Sequence, residues 1–261
     1  MLKYAVWHKV RKMADLAEIV LLSSIMGLSI FLSMPIVLRK GTSQPMTKIL
    51  NAIAIGILIF LIGDVFSDVA PSLYNGSLYG YGTSFWPDLA FGISFALGFL
   101  VLFLIETRSK AGINPSYLAL IIAFGMGFQN LTEGLVFGSL GVAAGLTGAA
   151  LVVLVGFILQ NVTEGFPIAS PFLGRTEGKV RQMFLFFLIG GLPTIIGGVI
   201  GYFYNGTILD VAFDGAAIGA ILFAILPMLR MLFRETDRTY QRLGYIGVFL
   251  GFLIGFLVNL I

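Results

Sequence analysis

Two copies of one polar hexapeptide stand inside otherwise apolar stretches of the chain. Residues 129–134 read Gln-Asn-Leu-Thr-Glu-Gly and residues 160–165 read Gln-Asn-Val-Thr-Glu-Gly, so five of six positions are identical at an offset of 31 residues. On a helix, the first, second and fifth positions of each copy lie along one face. If the two faces meet, carboxylates and amide oxygens converge on one volume, where the carboxylates repel each other unless a cation or a proton joins them. The residues on these faces are Gln129, Asn130 and Glu133, and Gln160, Asn161 and Glu164.

A third polar segment carries Asp64 and Asp68, which are also four residues apart and so share a helix face. No lysine or arginine lies deep in an apolar stretch, so these two aspartates and the two glutamates have no cationic partner there. Ionisable groups inside a bilayer are costly and indicate function by default. Either the carboxyls are protonated or they face water and a bound cation. Hydrogen bonding between helices would explain the amides, but it leaves the glutamates without a purpose.

The elements that must position these residues are membrane helices. Hydrophobic residues make up 58% of the 261 residues and charged residues 11%, whereas a soluble domain carries about 25% charged residues. We therefore predict an all-α, polytopic bundle of eight transmembrane helices that forms one domain over residues 1–261, with residues 1–16 as a short interfacial segment. The predicted spans are about 17–38, 49–68, 88–105, 115–140, 143–170, 183–204, 208–233 and 243–261.

The basic residues predict the orientation. Of the 16 lysines and arginines, 12 fall around the connections after spans 1, 3, 5 and 7, and none falls after spans 2, 4 and 6. By the positive-inside rule the first set is cytoplasmic, which puts both termini outside. The connections on the outer side are expected to carry acids instead, namely Asp68, Asp88, Asp210 and Asp214.

At these residues the sequence resembles the Zrt/Irt-like (ZIP) family of divalent metal transporters, which has eight spans with both ends outside. Residues 129–134 match the family's fourth-span motif His-Asn-x-Pro-Glu-Gly, with Gln129 for histidine and Thr132 for proline, and residues 160–165 match the related fifth-span motif. The stretch 63–71 resembles the Gly-Asp…His-x-x-Pro stretch of the second span. Leu192 stands where the family often has a glutamate in span 6.

The resemblance implies an intramembrane metal site made of Glu133, Glu164, Gln129, Gln160 and Asp64. A second site would share both glutamates and add Asn130 and Asn161, and Asp68 would lie on the approach or exit path. The chain also differs from the family in its ligands, since it has one histidine and no cysteine. The resulting shell is all oxygen, which suits hard cations such as Mn²⁺ better than a histidine or thiolate site does.

The sequence therefore predicts a transporter of Zn, Mn or Fe class ions that works by alternating access in the cell membrane. We expect a multi-pass protein with no enzymatic activity and no cofactor beyond the transported metal. Its expected partners are divalent metal ions and the lipid bilayer, with no nucleic acid. The glycine face of span 8 is expected to pack within the chain, and a homodimer through that face is the alternative. Two alternatives stay open: a transport-inactive sensor or scaffold on the same fold, and an intramembrane metal-dependent enzyme that uses Glu133 and Glu164 as acid and base.

Overall fold

The computed structural model describes residues 14–38, 43–73, 85–108, 114–146, 148–173, 180–204, 206–234 and 237–260. These ranges are helical except for a few residues at their ends and in turns, and they contain no strand. The predicted all-α fold is confirmed. The helices are α1 (Leu16–Leu28), α2 (Met34–Leu38), α3 (Gln44–Val69), α4 (Phe85–Arg108), α5 (Pro115–Ala144), α6 (Gly148–Ala169), α7 (Val180–Phe203), α8 (Thr207–Phe233) and α9 (Arg238–Val258).

Eight helical segments of the described chain are long and apolar enough to cross a bilayer, and they follow the eight predicted spans in order. The chain is thus a multi-pass membrane protein. The first span is interrupted: α1 ends at Leu28, residues 29–33 form a tighter 3₁₀ turn, and α2 follows. Of the predicted interfacial segment, residues 1–13 lie outside the described residues, and Leu16 already belongs to α1.

The helix ends have local causes. The Asp15 side chain accepts from the Glu18 amide, and Glu18 accepts in return from the Asp15 amide, which forms a capping box before α1. Asn114 caps α5 ahead of Pro115, whose missing N–H costs nothing at the first helical position. The turn between α5 and α6 uses Gly145 at a φ of 64°, a conformation that favours glycine.

The expectation that four acids sit in outer connections is wrong. Asp68 belongs to α3, Asp88 to α4, and both Asp210 and Asp214 to α8. Hydropathy shows where the side chains of a helix become polar. The helix itself extends further, to the residue that ends its backbone hydrogen bonding. Here α8 begins directly after Gly206, so both of its aspartates are helical.

Glycines let the helices pack in close pairs. A methyl group on Gly134 or Gly138 of α5 would overlap with backbone atoms of α7, and one on Gly251 of α9 would overlap with the Ile53 carbonyl of α3. Backbones in membrane bundles approach this closely only at small residues. The glycine face of α9, Gly247, Gly251 and Gly255, therefore packs on α3 within the chain. The homodimer stays a prediction.

Candidate cation site

A cavity of about 490 Å³ lies between α3, α5, α6, α8 and α9, towards the end of the bundle where α3 ends and α8 begins. Five of the eight predicted ligands line it: Asp64, Asp68, Gln129, Glu133 and Gln160. The other three, Asn130, Asn161 and Glu164, are fully buried at 0% exposure and lie outside the lining. The structure thus brings the polar residues of α3, α5 and α6 to one region, with an aqueous face and a buried face.

The two repeats contact each other directly. Asn161 Nδ2 of α6 donates to Glu133 Oε2 of α5 over 3.1 Å, and Gln129 Nε2 donates weakly to Glu133 Oε1 over 3.4 Å. Glu133 therefore has an amide donor for each carboxylate oxygen and lines the cavity at the same time. Its charge also interacts with those of Glu164 and Asp64, so the two motif glutamates are electrostatic neighbours. The predicted meeting of the two polar faces is observed.

Glu164 is in a different environment. Its side chain is fully buried, and neither carboxylate oxygen has a hydrogen-bond partner. The amides of Gln160 and Asn130 lie beside it. Their nitrogens donate to Asp64 Oδ2 and to the Gly190 carbonyl. Buried carboxylates are normally paired or hydrogen-bonded, because desolvation without a partner costs several kcal/mol.

Unpartnered oxygens extend from Glu164 into both repeats. Three amide oxygens are also buried without a donor, those of Gln129, Asn130 and Asn161, whereas the amide nitrogens of the same side chains donate to protein groups. In each of these side chains the amide nitrogen is hydrogen-bonded and the amide oxygen is not. The hydroxyl of Thr194 on α7 is a further buried atom without a partner. Such exceptions among buried polar atoms need an explanation, and a bound cation suits the amide and carboxylate oxygens, which accept and do not donate.

Asn130 is placed by α7. Its Nδ2 donates to the Gly190 carbonyl over 3.0 Å, one turn before Pro193, which lies inside α7. Leu192, the position at which the resemblance led us to look for an acid, is 41% exposed and lines an apolar groove with Phe124. That position faces away from the polar residues, so a carboxylate there would not line the cavity.

The sequence analysis missed two acids of α8 as site residues. Asp210 and Asp214 line the cavity, Asp214 is 5% exposed, and its charge interacts with those of Asp68 and Asp210. Their spacing of four residues is the same signal that singled out Asp64 and Asp68. It was passed over because both stand near the polar start of a span.

The site's chemistry is that of mixed oxygen ligands. Among the described residues, no three histidine, cysteine, aspartate or glutamate side chains form a group that could hold a metal ion by themselves. A cation at this place would therefore need amide oxygens as well as carboxylates, which are the ligands that hard divalent cations accept. The hydroxyls of Thr132 and Thr163 each donate to a carbonyl of their own helix, and Thr132 also lines the cavity.

No known protein-family model and no curated protein matches this sequence. The ZIP resemblance stays a prediction that rests on the two repeats and on the stretch that contains Asp64.

Proposed function

We propose that this protein moves divalent cations across a membrane through a site formed by Glu133, Glu164 and the amide oxygens of the two repeats. The observation that carries this proposal is the set of buried, unpartnered oxygens on Glu164, Gln129, Asn130 and Asn161. The amide nitrogens of Gln129, Asn130 and Asn161 donate to protein acceptors, so their amide oxygens are oriented before any ion binds. The resemblance of the same repeats to the motifs of a metal-transporter family supports this proposal.

The cavity supplies an approach for the ion. Asp68 is exposed at its mouth, Asp214 and Asp64 are buried along it, and Glu133 lies at its inner part. Clustered acids raise the local concentration of cations. From Glu133 the ion would pass to Glu164, which does not line the cavity.

Apolar packing lies between the site and the other end of the bundle. Leu58 of α3 and Ile122 of α5 are fully buried in one hydrophobic cluster. Beyond them, Ile55, Leu118 and Met228 of the same cluster line a second, smaller cavity of about 190 Å³. A cation held between an open acidic cavity and a closed apolar core corresponds to one half of an alternating-access cycle. The proposed cargo is a Mn, Fe or Zn class ion, and a shell without imidazole or thiolate favours Mn²⁺ among them.

Uptake into proteoliposomes tests this function. Purified protein would be reconstituted into vesicles that contain a metal-sensitive dye. Influx of Mn²⁺, Fe²⁺, Zn²⁺, Co²⁺ and Cd²⁺ would be followed for wild type, Glu133→Gln and Glu164→Gln. We expect saturable influx of at least one ion in wild type and a loss of at least about tenfold in each variant, because each removes a charged ligand. Absence of influx for all five ions would reject transport and favour the scaffold alternative.

A further inference from the structure

The last helix reaches the candidate site through a single side chain. Asn259, directly after the end of α9, donates from Nδ2 to Asp64 Oδ1 over 2.5 Å, although the two residues are 195 positions apart in sequence. Both residues line the cavity. Nothing in the hydropathy or the motifs of the sequence indicates this contact.

Asp64 receives a second amide from another helix. Gln160 Nε2 of the second repeat donates to Asp64 Oδ2 over 3.4 Å. A carboxylate offers about four lone-pair positions, so each oxygen keeps acceptor capacity after accepting one amide. Donors from α9 and α6 on opposite oxygens fix the plane of the carboxylate and leave the remaining lone pairs for a ligand in the cavity.

Asn259 is held at its place by the packing of α9. A methyl group on Gly251 would overlap with the Ile53 carbonyl of α3, and one on Gly255 would come within 2.6 Å of the Phe60 ring. Asn259 then ends the helix with its backbone N–H bonded to the Gly255 carbonyl. The amide is therefore presented to Asp64 by a rigid helix pair, as a group that orients a ligand must be.

We propose that Asn259 is a positioning residue that orients the Asp64 carboxylate for capture of the cation, an inference that rests on the proposed transport function. Asn259 acts through Asp64. Its amide holds the Asp64 carboxylate in one orientation, in which the free lone pairs face the cavity. Groups that orient a ligand in this way change metal affinity about 10- to 100-fold when they are removed.

A double-mutant cycle in the proteoliposome assay tests the inference. The variants are Asn259→Leu, Asp64→Asn and both together, with Mn²⁺ as the probe and with KM and Vmax measured separately. We expect Asn259→Leu to raise KM about tenfold and to leave Vmax within about twofold. In the Asp64→Asn background the same change should have no further effect, because a residue that acts only through Asp64 has nothing left to orient.

Two further variants separate positioning from stability. Asn259→Gln keeps the amide donor on a longer stem and should restore part of the wild-type KM. Asn114→Leu removes an asparagine amide from the start of α5, where it caps the helix and does not line the cavity. That control should lower the thermal unfolding temperature and leave KM unchanged.

The outcomes distinguish this inference from the function on which it rests. A wild-type protein without any cation influx overturns the proposed function and the inference with it. Influx in wild type with an unchanged KM in Asn259→Leu overturns the inference alone. So does an equal rise in KM when Asn259→Leu is added to Asp64→Asn, since the effect would then not pass through Asp64.

Discussion

Asn161 of the second repeat donates its side-chain amide to the Glu133 carboxylate of the first, with 3.1 Å between Nδ2 and Oε2. This bond joins α5 to α6 at the level of the site. The same side chain leaves Oδ1 buried without a donor. One residue thus orients a carboxylate with its nitrogen and offers a ligand with its oxygen.

Replacing Asn161 by leucine should therefore weaken cation binding twice over. The variant loses a charge-assisted hydrogen bond worth about 1.5–3 kcal/mol and one candidate ligand oxygen. We expect the Kd for Mn²⁺, measured by calorimetry on purified protein, to rise at least about tenfold. Ser139→Ala, which removes a partly exposed hydroxyl that donates to the Val136 carbonyl within α5, is the control and should leave the Kd unchanged. A wild-type Kd in Asn161→Leu would remove this residue from the site.

Stabilisation of the folded protein by a bound cation should depend on Glu164. Ligand that binds the folded state alone adds about 2.7 kcal/mol to its stability at 100 times the Kd. We expect Mn²⁺ to raise the unfolding temperature of wild type and not that of Glu164→Gln, measured by intrinsic fluorescence in detergent. Glu106→Gln, on α4 and outside the cavity lining, should respond like wild type. The account fails here if both variants respond alike.

Asp214 should contribute to capture of the ion. It is buried in the wall of the cavity near Asp68 and Asp210, so Asp214→Asn removes from the approach a carboxyl that can ionise beside an incoming cation. We expect a several-fold higher KM for uptake at low ionic strength and a smaller difference at high salt. Asp88→Asn, a matched change in the first turn of α4 and away from the cavity, should have little effect. Equal effects of the two changes would argue for a general surface potential.

Gly134, the last residue of the first repeat, should tolerate no side chain. A Cβ there would overlap with the Thr194 carbonyl and approach the Gly198 amide within 2.8 Å, so α5 and α7 would have to separate. We expect Gly134→Ala to lower the unfolding temperature markedly, since overpacking typically costs about 1–3 kcal/mol. Gly92→Ala, where nothing lies within 4 Å, should be neutral or stabilising. A stable Gly134→Ala would contradict the close approach of the two helices.

The repeats carried most of what the sequence could predict. Periodicity placed Gln129 and Glu133 on one face, and the identity of the two hexapeptides indicated that the faces meet, as the Asn161–Glu133 bond shows. Thr132 donates to the Phe128 carbonyl of its own helix, a contact that threonine commonly makes within a helix. These relationships are local, or they follow from the repeat itself.

What the sequence could not predict depends on distant packing. The contact of Asn259 with Asp64 exists because α9 packs along α3, and hydropathy contains no information on that pairing. The unpartnered state of Glu164 likewise depends on the neighbours that surround it in the bundle. Asp214 was misplaced for a different reason, since a short polar start of a helix resembles a connection.

Anomalous diffraction from crystals soaked with Mn²⁺ tests the central claim most directly. We predict a peak with Glu133 and Glu164 carboxylate oxygens and at least one amide oxygen of the repeats within about 2.0–2.6 Å of the ion. The peak should be absent from crystals of Glu164→Gln. A peak only among Asp68, Asp210 and Asp214, or a peak that persists unchanged in Glu164→Gln, would contradict the account.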